Sequence, residues 1–145
     1  MFRYGCCLAA DRPAAVGDRV ATKKVIRSAG MPKALGPYSH AVRAGELLFV
    51  SGQAGADPAT GKLAPDFDGQ CRQAFANLLT VLRAAGCGPE HVVKTTVFLS
   101  DTGNFAAMNA VFAETFPTDP PTRATPTVAF PQGILISIEC VAMMP

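Results

Sequence analysis

The chain has 145 residues, 49% of them hydrophobic, which suits one domain around one core; only 17% are charged, against roughly 25% in an average soluble domain. A surface so poor in charge predicts self-association, while a formal net charge of +2, without Trp or a Lys/Arg stripe, does not call for a nucleic-acid partner. Five Cys without a CxxC pair and two His outside ligand spacing carry no structural zinc signature, so free, mostly buried thiols are expected.

Residues 1–22 carry Arg3, Arg12 and Arg19 around an apolar patch from Cys6 to Ala10, shorter than the hydrophobic stretch of a secretory signal. Asp11 and Asp18 argue against a transit peptide, which is poor in acids. No apolar run approaches the ~18–20 residues of a membrane-spanning helix. The expectation is a loosely ordered extension over 1–22 and a folded domain over 23–145, in a reducing, cytoplasmic compartment.

Residues 23–27 form a short strand candidate, followed by a turn-rich stretch, 30–38, whose two X-Pro steps rule out regular helix. Residues 39–43 and 46–50 read as a hairpin around Ala44-Gly45, and 57–61 as a loop. The clearest helix covers 67–85, where Cys71, Phe75, Leu78, Leu82 and Ala85 make one apolar stripe and Gly86 supplies the left-handed cap. Residues 91–99 are rich in β-branched side chains and predict a strand. Asp101 or Thr102 can cap a second helix over 104–116, with Phe105, Met108, Phe112 and Phe116 facing inward, before Pro117, Pro120 and Pro121 end it. Residues 123–130 suggest a broken strand and 134–143 a strong one, with Ile134, Ile136, Ile138 and Cys140 on one face and Leu135, Ser137, Glu139 and Val141 on the other.

The order β-β-β-α-β-α-β-β gives a mixed α/β sheet of about six strands with two helices on one face. Two helices cannot cover both faces. The uncovered one keeps apolar residues at alternate positions, and packing against another subunit's sheet would cover it.

P-loop, dinucleotide and nucleophile-elbow signatures are missing, and neither His40 nor His91 has a recognisable triad partner. Arg123 and Glu139 are left. Arg123 opens a strand that Pro126 confines to an edge, where a guanidinium can grip a carboxylate across a cleft between subunits. Taken alone, it fits a salt-bridged surface arginine as well. Glu139, between Ile138 and Cys140, needs a partner or a raised pKa, and either would suit a proton acceptor; an outward-facing Glu in an alternating strand is the other reading.

Six segments in register carry a resemblance: Gly36-Pro-Tyr-Ser39, Phe49-Val-Ser-Gly-Gln53, Val93-Lys-Thr-Thr-Val-Phe-Leu99, Phe105-Ala-Ala-Met-Asn109, Pro121-Thr-Arg123 and Ile138-Glu-Cys140. Together they resemble the RidA/YjgF family of reactive-intermediate deaminases, from about residue 23 to the C-terminus. The resemblance implies a chorismate-mutase-like domain, a homotrimer with its active sites in the subunit clefts, and hydrolysis of 2-aminoacrylate-like enamines or imines to a 2-oxo acid and ammonia without metal or cofactor. It implies Arg123 as carboxylate-binding residue and Glu139 as water-positioning residue, with Tyr38, Ser51 and Asn109 lining the cleft. Gly36-Pro37 and Ser51-Gly52 are equally good turn residues in any fold, and Asn109 could simply bond a loop. His40 stands where many members have Gln, and Thr125 where some have Cys. A non-catalytic ligand-binding module, an endoribonuclease or translation inhibitor, and a deaminase for a larger enamine are the rival expectations.

Overall fold

The structure is a computed structural model and describes residues 22–27, 30–31 and 33–145, so the expected extension lies outside the described residues except for Thr22. Its elements follow the anticipated order: strands β1 (Lys24–Ile26), β2 (Ala41–Ala44) and β3 (Leu47–Ala54), helix α1 (Phe67–Ala84), strand β4 (Val92–Leu99), helix α2 (Phe105–Thr115), then strands β5 (Thr122–Ala124) and β6 (Ile136–Met143). They build one six-stranded sheet in the order β1-β2-β3-β6-β4-β5. All neighbours are antiparallel except β4 and β5, which α2 connects as a parallel pair.

Helix α1 starts where Asp66 accepts a 2.8 Å bond from the Gly69 N–H, closing one of the free donors of the first turn. It stops at Gly86, whose φ of +80° costs a glycine little; Gly86 N–H then reaches Arg83 O and Cys87 N–H reaches Leu82 O, both at 2.9 Å. Between these caps the predicted stripe of Cys71, Phe75, Leu78 and Leu82 is buried, together with Ala74 and Val81. It packs on Leu48 and Val50 of β3 and on Ile136, Ile138 and Cys140 of β6. Each fully buried aliphatic side chain is worth about 1.5–3 kcal/mol in removed apolar surface, so this interface is the main source of stability. Asn77, buried on the same helix, donates to Ala54 O at 2.9 Å and Ala56 O at 2.8 Å, fixing where β3 ends. No described helix is long and apolar enough to cross a membrane.

Four details differ from expectation. Strand β3 runs on to Ala54, because a bulge lets Gln53 and Ala54 rejoin β6. Strand β6 begins at Ile136, two residues later than expected. Strand β5 is only three residues long, and beyond it a single bridge, Leu99 to Thr127, is all that remains of the expected 123–130 strand. Phe105 leaves the inward stripe of α2 and is 43% exposed, while Val111 takes a buried place.

Candidate active site

Register decides which side chains can meet. Thr95 on β4 pairs with Arg123 on one side and Cys140 on the other, so these three share the helix-covered face. Thr96, one residue on, pairs with Ala124 and Glu139, and alternation sends that set to the open face. Within one chain, therefore, Arg123 and Glu139 lie on opposite sides of the sheet.

The short strand β5 is pinned by two threonines: Thr122 Oγ1 donates to Val93 O at 3.0 Å and Thr95 Oγ1 to Thr122 O at 3.2 Å. Arg123 then reaches across to α2. Its guanidinium carbon stands 4.5 Å from the Phe112 ring centroid and 5.5 Å from that of Phe105, and Nη1 points at Met108 Sδ from 3.7 Å. A cation over an aromatic face gains about 0.5–2 kcal/mol without using up its donors for carboxylates. Among the described residues no acidic side chain pairs with Arg123; the ion pairs there are Arg72 with Asp68 and Glu114, and His91 with Glu90. The salt-bridged alternative thus finds no partner among the described residues. With Asn109, Phe116, Pro120 and Pro121, Arg123 lines an open cavity of about 540 Å³.

On the other face, Ser51 and Glu139 come together through the bulge. Pairing jumps from Val50↔Cys140 to Gln53↔Ile138, so Ser51 and Gly52 stand opposite the one residue Glu139. Such a bulge re-aims side chains. A Cβ on Gly52 would come within 2.7 Å of Ser137 Oγ, so a larger residue there would have to turn that hydroxyl aside. Glu139 is half-buried and, with Ser51, Lys94, Thr96, Phe49 and Val42, lines a depression of about 280 Å³. The expected partner for this carboxylate is not present among the described residues; the depression leaves it open to water instead. Lys94 was overlooked in the sequence, although its place two residues before Thr96 puts it on the same face.

Tyr38 sits in the loop before β2, 44% exposed, its hydroxyl accepting from Leu35 N–H at 3.3 Å. It lines a third depression, of about 300 Å³, with Ser39 and His40. That loop is tied to Ser51, whose Oγ donates to Ser39 O at 2.8 Å and whose N–H reaches His40 O at 2.9 Å. The structure thus groups Arg123 with Asn109, and Ser51 with Glu139, while Tyr38 lines a separate depression joined to Ser51 through Ser39. Among the described residues no three or more His, Cys, Asp and Glu side chains are placed to hold a metal ion.

The sequence profile described as Endoribonuclease L-PSP matches residues 28–144. The chain belongs to the RidA/YjgF family. The mouse 2-iminobutanoate/2-iminopropanoate deaminase is 41% identical over 123 residues, which cover 83% of this chain and 91% of that protein. A RidA crystal structure from an Antarctic Psychrobacter superposes with a TM-score of 0.80 at 37% identity, covering 83% of this chain and 98% of that one. The E. coli TdcF structure with bound serine gives a TM-score of 0.80 at 33% identity, covering 84% and 99%. The matched residues 28–144 take in strands β2 to β6 and both helices, and so the elements that carry both clusters.

Proposed function

We propose that this RidA/YjgF protein is a deaminase that hydrolyses small enamines and imines bearing a carboxylate, such as 2-aminoacrylate, to 2-oxo acids and ammonia. The observation that carries the reading is Arg123: a permanent cation seated on Phe112, unpaired with any acid among the described residues, at the rim of a cavity. The deaminase name of the mouse relative, at 41% identity, supports the reaction class.

The two clusters on opposite faces become one site if a neighbouring copy brings its Glu139 to this chain's Arg123, and we propose a homotrimer that does so. One row in register across four strands supports it. Val25, Val42, Phe49 and Val141 lie side by side on the open face, with Phe49 46% exposed. Domain 23–145 is then the trimerising unit. A cytoplasmic location suits the buried free thiols of Cys71, Cys87 and Cys140.

In this site the substrate carboxylate takes two charge-assisted bonds from Arg123, worth about 1.5–3 kcal/mol each. The enamine gains a proton at its terminal carbon and loses one from nitrogen, giving the imine. Water held by Glu139 gives that carboxylate a proton and adds as hydroxide to the imine carbon, while the nitrogen takes up a proton to form a carbinolamine. The hydroxyl proton then moves to nitrogen as the C–N bond breaks, so that ammonia leaves and the oxygen stays as the 2-oxo group. Positioning and one general base supply about 10²–10⁴-fold, enough for a reaction that also runs unaided. Asn109, Ser51 and Tyr38 shape the walls.

The test is a coupled assay in which a dehydratase generates the imine and 2-oxo acid release is followed. Arg123→Ala should lose nearly all acceleration, at least about 100-fold, and Arg123→Lys most of it, since a point charge does not reproduce the two-pronged grip. Undiminished turnover in either variant would remove Arg123 from the chemistry. The bound serine of TdcF favours a second reading, a non-catalytic amino-acid-like ligand module, which saturable binding without acceleration would establish.

A further inference from the structure

Ser51 is held from one side only. At the bulge β6 offers it no regular ladder partner, so its position depends on the strand edge toward β2. Three bonds act there: Ser51 N–H to His40 O, Ser51 Oγ to Ser39 O, and the side-chain amide of Gln53 to Ser51 O at 2.8 Å. Gln53 is 2% exposed, so its amide has few alternatives. Its Nε2 also faces His40 Nδ1, at 3.4 Å.

These contacts fix the state of the imidazole. Ser51 O is a carbonyl and can only accept, which settles that the nitrogen of the Gln53 amide points this way. The second hydrogen of that nitrogen is directed at His40 Nδ1, which must then be the bare acceptor nitrogen, with the ring proton on Nε2. Nε2 is buried and has no partner among the described residues, so no carboxylate stands beside it to hold a charged ring. A proton added at Nδ1 would face the Gln53 N–H donor against donor. Gln53 cannot answer by turning its amide over, because Ser51 O would then meet an oxygen.

We infer that His40 is a positioning residue of the substrate site: as neutral imidazole it holds Gln53 and thereby the Ser51 wall, and on protonation it releases both. The inference rests on the deaminase reading for its link to substrate. Among the described residues, the other titratable or charged groups at the depression His40 lines are Tyr38, whose ring meets the imidazole edge-on at 6.0 Å between centroids, and Arg27 from beyond β1. Glutamine at this position can keep an acceptor toward Gln53 at every pH, which makes His40→Gln the informative variant.

Steady-state kinetics should be followed between about pH 8 and about pH 5.5. The expected result is a KM that rises about fivefold toward acid, the worth of one net hydrogen bond, with kcat changing less. His40→Gln should keep the alkaline KM and lose the rise, whereas His40→Ala should have the raised KM at every pH. An acid rise that persists unchanged in His40→Gln overturns the inference. A second measurement does not need turnover: ¹⁵N shifts of the wild-type ring, read beside His40→Gln because the chain has only two His. Proton on Nε2 at neutral pH, with the Ser51 amide moving as His40 titrates, supports the lock even if no imine is accelerated and the deaminase reading falls. Proton on Nδ1, or a Ser51 amide indifferent to His40, overturns it.

Discussion

On β6, Ile136, Ile138, Cys140 and Ala142 lie beneath the helices with at most 4% of their surface exposed, whereas Ser137, Glu139 and Val141, alternating with them, remain half-open on the far side. Beneath α1 that side is closed within one chain: its apolar groups pack on the helix, and the buried amides of the helix itself, Gln70 and Asn77, are bonded to backbone, so that it opens only at the β5 edge, where Arg123 lines a cavity. The far side is unfinished. It holds a carboxylate without a protein partner among the described residues, a row of half-buried valines beside the exposed Phe49, and a bulge that interrupts the ladder. One strand therefore divides its labour by parity, with even-numbered residues holding the domain together and odd-numbered ones left for the contacts we propose with a neighbouring copy.

The comparison can be broken most directly by cutting one side chain from each face. Ile138→Ala should cost about 2–5 kcal/mol of unfolding free energy in urea titrations, and Val141→Ala well under half of that in the dissociated chain. Equal losses would show that both faces contribute alike to the fold. Phe49→Glu, on the open face, should lower the association constant at least about 100-fold in sedimentation experiments while leaving the far-ultraviolet circular dichroism unchanged. A variant that associates as the parent protein does would mean that this face does not form the proposed trimer contact.

Alkaline pH sharpens the same contrast. Burial, with a smaller contribution from neighbouring charges, pushes the Cys71 and Cys140 thiols up to about 12. In the unfolded chain a thiol loses its proton near ~8.5, so each of these contributes stability that is full below that pH and is lost as pH climbs toward the folded value. Denaturation midpoints should fall above about pH 9, by up to ~1.4 kcal/mol per pH unit per thiol, and replacing both with Ala should flatten the slope. The smallest effect is at the cap of α1: Asp66→Ala should cost about 1 kcal/mol, read as a small drop in Tm.

What the sequence made legible follows from the same division. Helix α1 could be read because its stripe repeats every three or four residues and both caps are local. The alternation in β6 was equally plain, since Ile136, Ile138 and Cys140 mark every second position. The continuation of β3 through Ser51, Gly52 and Gln53 was not, because a bulge breaks the alternation and its partner strand lies some ninety positions on. Phe105 belonged to the stripe of α2 by spacing, yet its ring stands exposed beside the Arg123 guanidinium. That Arg123 and Glu139 face opposite ways could not be read from their own neighbours, since it depends on the registers of β5 with β4 and of β4 with β6 together. Their types and motifs were visible; their separation within one subunit needed coordinates.

Phe112 is a hinge between these concerns. Its ring is 6.2 Å from that of Phe75 in the α1 interface, 4.8 Å from that of Phe116, and 4.5 Å beneath the guanidinium carbon of Arg123. An engineer who repacks Phe75 for thermal tolerance will also tilt the seat of Arg123, the carboxylate receptor we propose. Selection for heat resistance and selection for ligand preference would therefore pull on the same aromatic stack, and variants gained under one pressure should carry a measurable shift under the other.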